Sequence, residues 1–302
     1  MKKLILSTLA VLAAMGLHAQ LLKVESMERV RLPQGVRAEQ AILSPDGNSI
    51  ALSDLDGSLK VVDRRSGTAR TISRTGSMMD LAFTADGIVF REASTDGQRR
   101  RHVAVKSYRL SDGRTTELVA PSRNLQTVAV GSDGSVLAVE SGRMYAAGNA
   151  VSAEAVRPVP SIDHGLLYLN YGSTRTAVCP LGTDGMSYLW PSVSPDGNSL
   201  LFFAAGYGTY TCSLDGSNLR HLGWLYAPVW YDNSTVVGMR TANNGVVTTE
   251  GHIIATAADG SASQTLTEDN LIAVLPSATP GQISFTTTEG EMYIMNVKSI
   301  AR

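Results

Sequence analysis

The sequence has little net charge and only one basic run. Its 26 Lys and Arg nearly balance its 27 Asp and Glu over 302 residues. Proteins that bind nucleic acid usually carry a strong basic excess, so we expect no nucleic-acid partner. The basic run, Arg99-Arg100-Arg101, is typical of a solvated hairpin tip.

The chain after residue 20 has no apolar run long enough to cross a bilayer, so we expect no membrane span. The one long apolar run, Leu4 to Leu17, follows two lysines and precedes Ala19. A charged start, a short apolar core and a small-residue end are typical of a secretory signal. We therefore predict that residues 1–19 are a signal peptide. No cysteine comes directly after the apolar core, which argues against a lipid anchor. We therefore expect a periplasmic or secreted protein.

Cysteine is scarce: the sequence contains only Cys179 and Cys212. Two cysteines in an exported protein can form a disulfide, but the geometry for bridging is narrow. Both fall in the third strand of successive predicted repeats, where equivalent side chains point the same way around a ring. We therefore predict that they do not pair.

What the sequence does have is a repeated Ser-Pro-Asp-Gly turn between apolar strands, with near-copies at residues 43–52 and 193–203. Pro fixes φ at the second position of such a turn, Asp bonds back to the backbone, and Gly takes the left-handed position. The pattern predicts a tight β-hairpin that recurs around a ring.

Repeats spaced about 40 residues apart are typical of a β-propeller with four-stranded blades. We label the strands of a blade a to d from the centre outward. The a–b turns are placed at Asp46-Gly47, Asp86-Gly87, Asp133-Gly134, His164-Gly165, Asp196-Gly197, Asp232-Asn233 and Pro280-Gly281. This gives seven antiparallel blades, and six is the alternative if the poor fourth repeat is only an elaborated connection.

The last repeat lacks a fourth strand, and the segment 28–32 precedes the first blade without strands of its own. The N-terminal strand is therefore predicted to complete the last blade, so that no sheet keeps an open edge. There is no long helical period and no linker after residue 20. We predict that residues 20–302 form a single all-β propeller domain.

The Ser-Pro-Asp-Gly repeats, together with residues 188–192 and 213–222, resemble the WD40-like propeller of the TolB-like family. The propeller of prolyl-oligopeptidase-type peptidases is similar. The resemblance implies a propeller that binds something outside the cytoplasm. TolB-like proteins usually carry a further α/β domain, for which this chain has no room. The peptidases carry a Gly-x-Ser-x-Gly nucleophile elbow, which this sequence lacks, so we do not expect a peptidase.

Candidate metal ligands and catalytic acids are scattered. His102, His164, His221 and His252 fall in four different repeats, without ligand spacing. The aspartates at the a–b turns recur at one repeat position, which indicates turn chemistry. Asp80 breaks the repeat, as an acid or base residue would. We expect no metal, no cofactor and no catalytic residue.

The binding surface is predicted at the channel mouth, where the d–a and b–c connections meet. The starts of the inner strands carry Gln40, Asp80, Thr127, Trp190, Tyr226 and Leu275. Two long b–c loops, 92–101 and 241–251, and Tyr207 are placed over the same mouth. The predicted ligand-binding residues are Gln40, Asp80, Trp190, Tyr226, Tyr207, Arg99 and Arg101. The alternative is that Trp190 and Tyr226 pack between blades.

A rim with Trp, Tyr, Asp and Arg suits a polar ligand that also stacks. We therefore predict a monomeric, non-catalytic binding or scaffold protein. Its partner would be a protein, a peptide end, or an envelope or dietary glycan. The alternative is a propeller glycoside hydrolase or lyase that uses Asp80 and channel-facing His residues.

Overall fold

A computed structural model describes residues 20–131, 134–148 and 157–300. The predicted signal peptide and the Asp133 turn position therefore lie outside the described residues. All regular elements in the described ranges are β-strands, 26 in number, in seven antiparallel sheets. These sheets form the seven blades of a β-propeller, which confirms the predicted fold class.

Blades 1 and 2 have four strands each, and blades 3 and 4 have three described strands each. Within each of these blades the strands follow in chain order from the inner to the outer edge. Blade 1 has β2 (Ala38–Leu43), β3 (Ser49–Asp54), β4 (Leu59–Asp63) and β5 (Thr68–Ser73). Blade 2 has β6 (Gly76–Phe83), β7 (Gly87–Thr95), β8 (Arg101–Arg109) and β9 (Thr115–Ser122). Blade 3 has β10 (Leu125–Val130), β11 (Val136–Glu140) and β12 (Arg143–Ala146). Blade 4 has β13 (Val159–Asp163), β14 (Leu166–Tyr171) and β15 (Thr174–Ala177).

The last three blades have four strands each. Blade 5 has β16 (Tyr188–Val193), β17 (Ser199–Ala204), β18 (Gly208–Ser213) and β19 (Arg220–Gly223). Blade 6 has β20 (Tyr226–Trp230), β21 (Thr235–Asn243), β22 (Thr248–Ala257) and β23 (Ser263–Thr265). Blade 7 has β24 (Ala273–Thr279), β25 (Gln282–Thr287), β26 (Met292–Ser299) and β1 (Leu22–Arg29). The poor fourth repeat thus forms a sheet of its own, and the six-bladed alternative is excluded.

The ring closes through β1, which pairs antiparallel with β26 from Leu22↔Ser299 to Arg29↔Tyr293. Closure by the N-terminal strand is confirmed, but the strand begins six residues before the predicted segment 28–32. The physical reason is that Leu22 is fully buried against blade 7. Residues 30–37 instead lead from β1 to the first inner strand.

The Ser-Pro-Asp-Gly turns have the predicted chemistry. In the first, Asp46 Oδ1 accepts hydrogen bonds from Ser44 Oγ at 2.5 Å and from the Asn48 amide at 3.0 Å. These bonds lower the pKa of Asp46 to about 2. Asp196 accepts the same pair of bonds, from Ser194 and Asn198, in blade 5. Asp46 and Asp196 therefore hold their turns through side-chain hydrogen bonds.

The core lies between neighbouring blades, where strands b and c are buried on both faces. Leu200, Phe202 and Cys212 of blade 5, for example, pack against Leu167 of blade 4. Both thiols are free, as predicted. The predicted placement of Cys179 in a third strand is wrong, because β15 ends at Ala177 and Cys179 packs on the same cluster as Cys212. The described residues contain no helix long and apolar enough to cross a membrane.

Candidate ligand-binding face

One end of every blade carries the start of strand a and the b–c turn, because neighbouring strands are antiparallel. In the blades with four described strands it also carries the end of strand d. The chain therefore brings its d–a links and b–c turns together on one face of the ring, around the channel mouth. We call this the upper face. The predicted rim residues Gln40, Trp190, Tyr226, Tyr207, Arg99 and Arg101 lie at this end of their blades, whereas Asp80 is the fifth residue of the eight-residue strand β6.

Four inner strands are bent at an equivalent position. Asp80, Trp190, Ala227 and Leu275 have positive φ angles of 59°, 48°, 45° and 49°. Register shifts occur at the same places in β6, β16, β20 and β24. A bulge of this kind re-aims the side chain at the bend, and the same bulge occurs in the inner strands of blades 2, 5, 6 and 7.

The sequence-based alignment of the rim is off by one residue in blade 6. Ala227, and not Tyr226, occupies the bulge position. The a–b turn explains the difference, since Tyr231 N bonds to Thr235 O, four residues on, whereas Ser194 N bonds to Ser199 O, five residues on. Tyr226 therefore precedes the bulge. Gln40 and Thr127 lie at register shifts of β2 and β10.

Four aromatic side chains form a continuous patch on the upper face between blades 5 and 6. We call Trp190, Phe203, Trp224 and Tyr226 the aromatic shelf. The Phe203 ring lies 5.3 Å from Trp190, 6.0 Å from Trp224 and 5.2 Å from Tyr226, centroid to centroid. Trp224 also lies 6.3 Å from Tyr226. Edge-to-face and tilted contacts of this length stabilise aromatic pairs.

The shelf is exposed although its base is buried. Trp190 and Trp224 are 43% and 45% exposed, whereas Phe203 beneath them is 4% exposed. Tyr207, in the b–c turn of the same blade, is more than half exposed, and its carbonyl accepts a hydrogen bond from the Tyr210 hydroxyl at 3.2 Å. Grouped apolar side chains on a surface mark interaction sites more often than scattered ones do.

Besides the buried Phe203, Trp224 is the shelf residue that the sequence pattern did not predict. It lies in the link between β19 and β20, outside any strand and outside the repeat. Only its proximity to Tyr226 in the sequence could have drawn attention to it. The contact that makes it part of the site, with Phe203, joins residues 21 positions apart and depends on the tertiary fold.

Asp80 has a different environment from the shelf. Its Oδ2 accepts hydrogen bonds from Arg91 Nη1 at 3.0 Å, Thr127 Oγ1 at 3.2 Å and the Val128 amide at 2.9 Å. Burial raises the pKa of Asp80, and the Arg91 guanidinium and the two other donors oppose this effect. The carboxylate connects blade 2 to blade 3.

Asp80 also lines a cavity of about 760 Å³ in the channel, together with Thr127, Tyr171, Ser192 and other residues of blades 2 to 5. The cavity extends to Asp196 in an a–b turn. The shelf residues do not line this cavity. The channel and the shelf are therefore separate surfaces.

The predicted arginines lie far around the ring from the shelf. Arg99 is at the tip of the β7–β8 hairpin with a positive φ of 60°, and Arg101 begins β8. Asp96 closes this tip, because its carboxylate accepts bonds from the Arg100 amide and guanidinium, at 2.9 and 2.8 Å. The structure thus places Trp190, Tyr226 and Tyr207 together in blades 5 and 6. Gln40, Asp80, Arg99 and Arg101 lie in blades 1 and 2.

The histidines stay apart. The His221 ring lies 4.7 Å from the Tyr210 ring in a tilted contact, His164 is almost fully exposed, and His252 Nε2 lies 3.9 Å from Asp269. His102 lies on the blade 2 hairpin, 4.0 Å from Asp96. Within residues 20–131, 134–148 and 157–300, no group of three or more His, Cys, Asp and Glu could hold a metal ion.

No protein-family model matches the chain, and no curated protein matches it. Solved structures do. Virginiamycin B lyase from Staphylococcus aureus is 9% identical over 90% of this chain and 99% of that chain, with a TM-score of 0.58. Its catalytically inactive variant with quinupristin is 10% identical, with a TM-score of 0.55 and coverage of 91% and 99%.

An oligogalacturonate lyase in complex with manganese also matches, at 15% identity and a TM-score of 0.46, over 87% of this chain and 78% of that chain. Identities this low carry the fold and no activity. The chain is therefore a seven-bladed β-propeller that shares its architecture with virginiamycin B lyase.

Proposed function

We propose that the protein is an exported, non-catalytic binding module that recognises glycans through the aromatic shelf. The single observation behind the proposal is the pair of exposed indoles, Trp190 and Trp224, held over the buried Phe203 ring. Rigid aromatic side chains supply a large contact area at little entropic cost. The apolar face of a sugar ring can stack on such a surface while its hydroxyls stay in water.

The backbone holds the shelf in a fixed arrangement. Trp190 sits at the inner-strand bulge of blade 5, with its φ at 48°, and Tyr226 is in a strand paired with β21 through Met239. Thr209 Oγ1 donates a 2.6 Å hydrogen bond to the carbonyl of Leu225, which lies between Trp224 and Tyr226. Binding to a pre-organised surface avoids the entropic penalty of ordering loops.

A glycan array with the mature chain, residues 20–302, tests the proposal. We expect a hit whose affinity falls roughly tenfold in Trp190→Ala and in Trp224→Ala, since each variant removes one stacking face. Tyr145→Ala is the matched control, because Tyr145 is an exposed aromatic residue on the outer strand of blade 3. Unchanged binding in both Trp variants would overturn the assignment of the shelf.

The second candidate function is the binding of a protein partner on the same shelf. A glycan array would not detect such a partner. A pull-down would detect it with the wild-type chain and would lose it with the two Trp variants. A glycoside hydrolase or lyase centred on Asp80 has less support. Oδ2 of that carboxylate already accepts three hydrogen bonds, one of them from Arg91. New reducing ends or unsaturated products on incubation with glycans would favour the enzyme. We also propose that the protein is exported, that it is monomeric and that its propeller is of the TolB-like type.

A further inference from the structure

A second cavity lies on the upper face where the ring closes, away from the shelf. It occupies about 870 Å³ between the link 30–37 and the turn that joins β25 to β26. Two backbone hydrogen bonds connect the two walls: Val30 N donates to Met292 O at 2.8 Å, and Ala38 N donates to Gly290 O at 2.9 Å. We call this space the seam cavity.

The seam cavity carries more positive than negative charge. Three arginines and two glutamates line it, which leaves a formal surplus of one positive charge. Glu291 is already neutralised, because Arg29 Nη2 lies 2.8 Å from its Oε1 and the Tyr293 hydroxyl donates to its Oε2 at 3.0 Å. The positive charge that remains available comes from Arg31 and Arg37.

The two arginines differ in how they are held. Arg37 donates from Nε and Nη2 to the carbonyl of Glu289, at 3.0 and 2.7 Å. A Cβ on Gly290 would lie only 2.7 Å from Arg37 Cβ, so the glycine permits this close approach. Arg31 is exposed and makes no hydrogen bond or ion pair with any residue in the described part of the chain. Arg37 is thus pre-oriented, and Arg31 is available to an anion.

The same cavity has an apolar wall. Val30, Leu32 and Val36 line it. Val30 belongs to the core cluster between blades 7 and 1, and Leu32 and Val36 pack against that cluster. An anion that fits the cavity therefore has an aliphatic part beside its charged group. A dianion such as phosphate would be repelled by the Glu289 carboxylate on the opposite wall, whereas a monoanion matches the single surplus charge.

We propose that the seam cavity binds the carboxyl terminus of a partner polypeptide whose last residue is aliphatic. The terminal carboxylate would accept charge-assisted hydrogen bonds from Arg31 and from the free Nη1 edge of Arg37. The last side chain would pack against Val30, Leu32 and Val36. Capture of a chain terminus is a known mode of peptide recognition. This site is independent of the aromatic shelf, so either proposal can fail without the other.

The test uses a fluorescently labelled tetrapeptide, Gly-Ala-Ala-Leu, with a free terminal carboxylate, and the same peptide with a terminal amide. Binding is followed by fluorescence anisotropy. We expect the amide to bind at least about tenfold more weakly, and Arg31→Ala to weaken binding of the acid by a similar factor. Arg65→Ala is the control, because it removes an exposed arginine from the opposite face of blade 1.

Equal binding of acid and amide would overturn the proposal, as would unchanged binding in Arg31→Ala or no binding of the acid at millimolar concentration. Competition by isocaproate as strong as competition by unlabelled peptide would assign the cavity to small free carboxylates instead, and would also overturn it. The glycan affinity of the Arg31→Ala variant should equal that of the wild type. This last comparison separates the seam cavity from the shelf.

Discussion

The guanidinium of Arg91 lies 3.0 Å from the carboxylate of Asp80 and reaches from blade 2 to the backbone of blade 3. Its Nη2 donates to the carbonyl of Leu125 at 3.4 Å, while Asp80 accepts from the Val128 amide. Both side chains are largely buried. The pair therefore joins two blades beside the channel, and each member depends on the other for its neutralisation.

Asp80→Asn is expected to destabilise the fold by about 2 kcal/mol, because it leaves the buried Arg91 charge without a counter-ion. Asn tolerates the left-handed backbone that Asp80 adopts, so the variant tests the charge alone. Urea unfolding measures the effect. Asp86→Asn, at an exposed turn position, is the control and should change the free energy of unfolding little. An equally stable Asp80→Asn protein would contradict the structural role of the pair.

Gly87 allows the start of β7 to lie close to the backbone of β8. A Cβ at this position would lie 2.2 Å from the carbonyl oxygen of Tyr108, which is backbone and cannot rotate away. Gly87→Ala should therefore cost about 2–3 kcal/mol through forced backbone shifts. Gly97→Ala is the matched control, because a Cβ there meets nothing within 4 Å. Thermal unfolding should show a lowered Tm for Gly87→Ala only.

The turn aspartates predict a specific pH dependence. Hydrogen bonds from Ser44 and Asn48 lower the pKa of Asp46 to about 2, below the ordinary value for the unfolded chain. A depressed pKa means that the stabilisation is complete above the unfolded pKa and is lost as the pH falls toward 2. The Tm difference between wild type and Asp46→Ala should therefore shrink as the pH falls from about 4 to about 2. A constant difference would exclude the ionised carboxylate as its source.

The fold was predictable because its main signal is local. The Ser-Pro-Asp-Gly turns form through bonds within five residues, as in Ser44 to Ser49, and these turns together with the other turns at the same repeat position predict the number of blades to within one. The closing strand was misplaced because β1 is the outer strand of its blade, and only Leu22 among its residues is fully buried. A strand that is exposed along most of its length carries little hydrophobic pattern.

The candidate site was only partly predictable, because part of it depends on contacts between residues that are distant in the sequence. Trp190 could be found from the repeat, since it stands at a fixed distance from a turn. Trp224 could not, because its place on the shelf depends on the packing of a link against Phe203 of another strand. The one-residue displacement of Tyr226 comes from a shorter turn in blade 6, and the repeat pattern alone does not register it.

The three tryptophans provide a direct test of the shelf geometry that needs no ligand. Trp190 and Trp224 are 43% and 45% exposed, whereas Trp230 is 8% exposed in the interface between blades 5 and 6. The double variant Trp190→Phe/Trp224→Phe should emit only from Trp230, with a blue-shifted spectrum and weak quenching by acrylamide. Trp230→Phe should show the opposite, a red-shifted spectrum with strong quenching. Weak quenching and a blue-shifted spectrum in Trp230→Phe would mean that the indoles of Trp190 and Trp224 are buried, which would contradict an exposed aromatic shelf.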